Sequence, residues 1–190
     1  MKHWPTIFLI LFLCTTPSVH AQEEPEAAPE NVGIYIELGA GNDPDVMGGE
    51  IGMFGYTSDH LSLRGGIAFL ASERFDDVFS GASAGFRLNL FAPKARVSPF
   101  IGMGIFAGYT KEEEPAEDDG LDNDDDGTID ESGEKKEIIE NVIGTIYPEA
   151  GLHIWVSPSS RLTFSNKYNF TSEGRENDFW IYNIGFAFKF

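Results

Sequence analysis

The sequence is short of the residues that usually announce a function. It has one cysteine, Cys14, and four histidines, too few for a disulfide framework or a Cys/His metal cluster. Basic residues are scarce: 13 Lys and Arg stand against 31 Asp and Glu, for a formal charge of -18. That balance excludes nucleic acid as a partner, because phosphate binding needs clustered cations. No run of about 20 apolar residues exists, which excludes a membrane-crossing helix. It does not exclude a membrane barrel, whose strands alternate and give only a weak hydropathy signal. A helical period is missing as well.

What charge there is lies unevenly. Between Lys111 and Glu140 stand 15 acidic residues and three lysines, about two thirds of the net charge. Residues 1–21 read as a secretory signal. Lys2 and His3 form a polar start, residues 7–14 an apolar core, and Val19-His20-Ala21 a cleavage site. The mature chain is expected to begin at Gln22, which would leave it without cysteine. A lipid anchor on Cys14 is the alternative, but Leu13 stands where such a site has a small residue. Residues 22–32, rich in Glu, Pro and Ala, are expected to be a disordered acidic lead-in.

From Gly33 onward apolar and polar residues alternate, as in strands with two unlike faces. Eight such segments are expected: 33–41, 47–56, 59–69, 80–90, 97–109, 145–156, 161–170 and 179–190. In the last, Trp180, Tyr182, Ile184, Phe186, Phe188 and Phe190 make one apolar row. Turn-length links rich in Ser and Pro join the second strand to the third, the fourth to the fifth and the sixth to the seventh. The other links read as longer and more acidic, above all an expected loop at 110–144, within which 138–142 is read as a turn of helix. Short turns at one end and long loops at the other are the asymmetry of an outer-membrane barrel. An even strand number then places both ends of the barrel domain, 33–190, on the short-turn side.

Alternation alone does not say which face is inward. The less apolar face holds Gly, Ser, Asn and a balanced set of charges: Glu37, Glu50, Arg64, Arg87, Glu149 and Lys167. Such residues suit a narrow lumen in which bulky side chains would not fit, and the charges are expected to form an internal ion-pair network. A soluble barrel would show more Lys and Glu on a solvated face. The final stretch reads Asn183-Ile184-Gly185-Phe186-Ala187-Phe188-Lys189-Phe190. It resembles the C-terminal recognition signal of bacterial outer-membrane barrels, with Asn183, Gly185, Phe188 and Phe190 at the signal positions. The chain as a whole is similar in architecture to the small OmpA, OmpX and OmpW type barrels. The resemblance implies an all-β, eight-stranded, antiparallel up-and-down transmembrane β-barrel in the outer membrane. It also implies outer-membrane lipids, lipopolysaccharide and the barrel-assembly machinery as partners. A soluble periplasmic lipocalin-like binding barrel is the alternative architecture.

The sharpest local motif is DGLDNDDDGTIDE, residues 119–131. Asp122, Asp124 and Asp126 hold alternate positions, Gly127 allows a sharp turn, Thr128 offers its carbonyl and Asp130 follows. Alternate carboxylates converge on one hard cation when the glycine folds the chain back. The motif is similar to the Asp-rich calcium repeats of thrombospondin type 3. It departs from the EF-hand at the twelfth position, Gly133, where a bidentate Glu would stand. A solvated acidic loop is the plainer reading.

An enzyme is the competing function. Lipid A deacylases are similar in size and use a His followed closely by a Ser near the outer end of the seventh strand. The corresponding stretch here, Tyr168-Asn169-Phe170-Thr171-Ser172, has no His. After the signal only His60 and His153 remain. No catalytic residue is assigned, and the reading is a non-enzymatic barrel that displays an acidic, calcium-binding loop in a structural, adhesive or surface-interaction role.

The calcium reading carries its own test. Without the twelfth-position Glu, affinity is expected on the order of 10⁻⁴–10⁻³ M. Calorimetry on a 112–137 peptide and on the whole chain should show binding by millimolar calcium, with protection of 120–129 from proteolysis, and little response to magnesium. Absence of both heat and protection leaves only a solvated acidic loop.

Overall fold

The structure, a computed structural model, describes residues 32–41, 45–73, 77–91, 95–116, 122 and 135–190. Eight antiparallel strands close into one barrel in chain order. They are β1 Val32–Gly41, β2 Val46–Tyr56, β3 Leu61–Ser72, β4 Asp77–Asn89, β5 Val97–Pro115, β6 Lys135–Trp155, β7 Ser160–Thr171 and β8 Phe179–Lys189. A short 3-10 turn, Arg175–Asn177, leads into β8. Closure is made by β8 pairing with β1 from Gly33↔Lys189 to Ala40↔Tyr182. This is the up-and-down, eight-stranded all-β barrel that the alternation predicts.

Period two assigns the faces. On β1, Ile34, Ile36 and Leu38 point outward and are exposed, while Tyr35 and Glu37 between them are buried. On β8, Trp180, Tyr182, Ile184, Phe186 and Phe188 are exposed, while Ile181, Asn183 and Ala187 are buried. The exposed apolar row continues through Ile51, Leu63, Ile67, Phe86, Ile101, Met103, Ile105, Ile146 and Phe164. Polarity is thus inverted relative to a soluble barrel, which puts its apolar rows inside.

The lumen corrects one expectation. Bulky side chains do fit within it. Near the end that carries the β5–β6 hairpin, Val46, Leu70, Phe79, Phe106, Ile143, Tyr147 and Phe179 pack into an apolar plug. Near the short-turn end, Tyr35, Phe54 and Ala187 form a second cluster, with Tyr56 against it. Charged residues lie between the two. Rings fit because inward glycines stand beside them. A Cβ at Gly104 would come within 2.5 Å of the Tyr147 ring, and one at Gly151 within 2.6 Å of the Phe100 ring. Alternation of small and large inward residues is how a narrow barrel fills its taper.

The hairpin between β5 and β6 corrects another. Pairing continues past the barrel wall to Pro115↔Lys135, so much of the expected 110–144 loop is strand. Residues 138–142 belong to β6 and not to a helical turn. β4 pairs with β5 only up to Tyr109, and β7 with β6 only up to Thr145. Beyond those points the hairpin stands alone as a two-stranded ribbon, about 20 Å tall for six residues at ~3.3 Å each. Cross-strand ion pairs explain why acidic residues adopt strand here: Lys111 meets Glu137, and Lys135 meets Glu113 at 2.7 Å. The ribbon's base carries a bulge, where the register shifts between Tyr109 and Lys111. Asn141 N–H, freed there from the ladder, donates to Thr110 Oγ1 at 3.1 Å.

Smaller corrections follow from the strand bounds. Val32, assigned to the lead-in, is the first residue of β1. The third strand starts at Leu61, so His60 lies in the preceding turn, and the fourth starts at Asp77. The links 42–45 and 73–76 are no longer than the link 57–60, and 172–178 is no longer than 90–96 at the other end, so the end asymmetry rests on the β5–β6 hairpin. The signal segment 1–21 and residues 22–31 lie outside the described residues.

Two glycine substitutions test the packing of the wall. A Cβ at Gly81 would collide with the Ala107 carbonyl oxygen, whereas one at Gly144 meets nothing within 4 Å. Gly81→Ala should cost about 1–3 kcal/mol in urea unfolding. Gly144→Ala should be neutral or stabilise by a few tenths of a kcal/mol, through the unfolded chain. Equal effects would contradict this assignment of crowded and open positions.

Candidate functional site

The six charged positions singled out in the sequence meet at mid-lumen. Their strands explain the meeting. Glu37 lies across from Glu50 on β2, and Glu149 lies across from Lys167 on β7. Two like charges opposed on neighbouring strands repel unless cations reach between them. Arg64 and Lys167 do so for Glu37 and Glu50, while Arg87 joins Glu37 to Glu149. Arg64 Nη1 and Nη2 donate to the two oxygens of Glu37 at 3.0 and 2.9 Å, and Nη2 also lies 2.7 Å from Glu50. Arg87 grips Glu149 with Nε and Nη2 at 2.9 and 2.6 Å and reaches Glu37 at 2.7 Å. Lys167 Nζ sits 3.4 Å from both Glu37 and Glu50. Glu37 therefore contacts all three cations and is the hub of the network. Gly185, across from Glu37 on β8, leaves it room: a Cβ there would lie 2.5 Å from Glu37 Cγ.

Further groups complete the shell. Ser83 Oγ donates to Glu50 at 2.5 Å, and the Tyr35 hydroxyl donates to the same carboxylate. The cations also rest on rings, Arg64 over Tyr35 at 4.2 Å, Arg87 over Phe100 at 4.6 Å and Lys167 over Tyr147 at 4.9 Å. With three carboxylates and three cations the knot is neutral. A pocket of about 50 Å³ borders it, lined by Glu50, Ser83, Thr145, Lys167, Asn169 and Asn183, room for a few waters at most.

Sequence reasoning missed a second buried polar group toward the short-turn end. Arg161 is 2% exposed, has no carboxylate within ion-pair range among the described residues, and donates to the Tyr56 hydroxyl. Its guanidinium lies 4.4 Å from the Phe54 ring and 5.4 Å from the Trp155 ring. Aromatic faces replace the counter-charge. The available signal was the inward parity of 161 on a strand whose neighbours present rings. His153, fully buried, stacks on Phe100 at 4.3 Å, and its Nδ1 lies 3.0 Å from Thr163 Oγ1. His60 Nδ1 lies 3.0 Å from the Asn89 carbonyl oxygen. Among the described residues neither imidazole is hydrogen-bonded to a serine.

The remaining candidates scatter. Asn183 and Gly185 face the lumen, while Phe188 and Phe190 face outward. Of the acidic motif only Asp122 is described; Asp124, Asp126, Thr128 and Asp130 lie outside the described residues. At the base of the ribbon Glu112 and Asp77 crowd Glu140 and hold its carboxyl above the ordinary range. No group of three or more metal-ligating side chains occurs among the described residues.

No family model matches the chain, and no curated protein matches it. Solved structures do. The N-terminal β-barrel domain of Pseudomonas aeruginosa OprF aligns at a TM-score of 0.57 with 15% identity, over 85% of this chain and 98% of that one. Neisserial surface protein A aligns at a TM-score of 0.50 with 11% identity, over 84% and 95%. These likenesses show a shared fold, the eight-stranded barrel.

Geometry ranks the cations. Among the described residues Glu149 has Arg87 as its sole ion-pair partner, through short and forked contacts, whereas Lys167 is a more distant third partner of Glu37. Arg87→Met should lower the unfolding free energy by about 3–5 kcal/mol, the cost of stranding a buried charge. Lys167→Met should cost clearly less, because Glu37 and Glu50 keep Arg64. Urea titrations followed by tryptophan fluorescence would check the order, and a reversed order would refute this ranking of the cations.

Proposed function

We propose that the chain is a non-enzymatic barrel of an outer membrane, closed to permeation, that holds an acidic β-ribbon above the membrane surface. The observation that carries this reading is the inverted polarity of the wall. Exposed Ile, Leu, Met and Phe encircle the barrel, while the six mid-lumen charges are inside and paired. Water would not favour that arrangement; hydrocarbon requires it. The solved barrels that share the fold are consistent with the location.

The short-turn end, where β1 starts and β8 ends, then faces the periplasm, and the β5–β6 ribbon faces outside. Three stacked layers of side chains fill the lumen, so a pore is not part of the reading. The ribbon presents Glu112, Glu113, Glu114, Glu137 and Glu140. An acidic surface would meet anionic lipopolysaccharide through shared divalent cations, and the calcium motif at 122–130 would serve the same end. A structural or adhesive role follows from a closed barrel with a raised ribbon. The alternative of lipid hydrolysis gains nothing from the seventh strand. Tyr168 packs against Phe170 and Trp180, and Ser172 Oγ accepts from the Gly144 N–H at 3.0 Å.

Insertion into lipid tests the reading. The chain should fold into phospholipid vesicles and migrate differently on gels when unheated. Ile184→Lys, in the middle of the outward row of β8, should cost about 2–4 kcal/mol of folding in vesicles. The folded protein should not conduct ions across planar bilayers. Folding in water without lipid, or a harmless lysine at 184, would overturn the membrane assignment.

A further inference from the structure

The β5–β6 ribbon has two unlike faces. Cross-strand partners share a face, so Lys111 with Ile139, Glu113 with Glu137 and Pro115 with Lys135 lie on one side. Glu112 with Ile138 and Glu114 with Lys136 lie on the other. Parity along β5 says which side is which. Ile105, Ala107 and Tyr109 are exposed while Phe106, Gly108 and Thr110 are buried, so Lys111, Glu113 and Pro115 continue the outward row. On β6 the bulge takes three residues against two of β5, which returns Ile139 to the face of Val142.

The outward side is apolar at its base and neutral above. Ile146, Val142 and Ile139 follow one another along β6, each more than half exposed, with Gly144 between the first two. Lys111 and Lys135 are taken up by Glu137 and Glu113. The inner side holds Glu112, Glu114 and Glu140 with Lys136, and Glu112 and Asp77 crowd Glu140 there. Tyr109 sets the level of the outward side. It stands outward where β4 leaves β5, as Phe69, Phe170 and Trp180 stand outward near the same ends of their strands. Such a ring of aromatic residues marks where hydrocarbon meets headgroups. Val142 lies directly across from Tyr109. Ile139 lies across from Lys111, about 5 Å higher for strands tilted by ~40° with ~3.3 Å per residue. A headgroup layer is roughly 5–7 Å thick, so both side chains end within it.

We propose that the outward face of the ribbon's base, Val142 and Ile139 beside Tyr109, is seated in the headgroup layer of the surrounding bilayer, so that the acidic face and the tip are what stand in water. Two observations choose lipid as the occupant. The face continues the outward rows of β5 and β6 that hydrocarbon covers lower down, and the excess acid of the described ribbon lies on the side turned away from it. Amphipathic elements rest on a membrane in this way, apolar face down and charged face up. The proposal rests on the membrane reading above and adds where the ribbon lies.

Single-cysteine variants of the full chain test it in phosphatidylcholine vesicles, on a Cys14→Ser background because Cys14 is the sole cysteine. The gel shift on heating confirms that each variant has folded. A fluorescent label on Ile139→Cys or Val142→Cys should be quenched by a nitroxide on the lipid headgroup and shielded severalfold from aqueous iodide. A label on Glu112→Cys, at nearly the same height on the other face, should show the reverse. Without any label, Ile139→Asp should speed tryptic cleavage at Lys135 severalfold in vesicles. Equal exposure of the labels at 139 and 112 to iodide overturns the proposal, as does cleavage that Ile139→Asp leaves unchanged. Shielding that fades as the protein is diluted in lipid puts a second copy on this face and overturns it too. Failure of the unlabelled wild type to fold into the vesicles overturns the membrane reading instead.

Discussion

Closure of the sheet is the constraint on which the rest of this barrel depends. A wall whose outward side is apolar cannot present a free strand edge, because each unpaired backbone group in an apolar surrounding costs several kcal/mol. Eight residue pairs between β1 and β8 remove that edge. Closing with only eight strands makes the interior narrow, wide enough for side chains and little else. Every inward position must then be filled or emptied in concert with its neighbours. The glycines beside the Tyr147 and Phe100 rings and the glycine across from Glu37 are consequences of that shortage of room.

Charge in so narrow a space must be neutral in total and forked in detail. Glu37 alone would be prohibitive, but Arg64 and Arg87 each bring planar donors to it, and the same arginines hold Glu50 and Glu149. An apolar filling of equal volume would be about as stable. What the ions add is register. Sliding any of β1, β3, β4 or β6 by one residue would turn its charge to the outer face and leave its partners stranded. Arg161 obeys the same rule by another route, since the rings of Phe54 and Trp155 stabilise its charge without a carboxylate.

This logic explains what was legible beforehand. Strict alternation over segments such as Gly33 to Ala40 and Trp180 to Phe190 made the strands, their number and their faces readable, because a half-apolar strand has period two whatever its surroundings. The six mid-lumen charges were readable as a set because they fall on the less apolar rows of their strands and balance one another in sign. Phe79, Phe106 and Ile143 were not seen as lumen plugs, since an apolar residue on an inward row looks like noise when polarity is the signal. Arg161 was missed because its partners are rings on β2 and β6, far off in sequence. The ribbon was missed because a run of Glu reads as loop until the lysines of the facing strand are known to lie opposite.

The ribbon and the barrel are therefore held by different physics, and the difference bears on function. Exposed ion pairs such as Lys135–Glu113 contribute little in water and less in salt. Among the described residues two such pairs, one bulge, a short ladder and the Asn141–Asp77 hydrogen bond hold the ribbon above the wall. The barrel below keeps its closed hydrogen-bonded sheet, its buried ion knot and its two apolar clusters whether or not the ribbon is paired. Changes in ribbon sequence thus leave the barrel's stability almost untouched, while changes at Glu37 or Arg87 reach every strand around the knot. Under the proposed function, that independence would let the ribbon vary or bind cations without endangering its anchor. The acidic charge belongs on the ribbon for the same reason: placed in the wall it would have to be paired, and placed above it water and ions screen it.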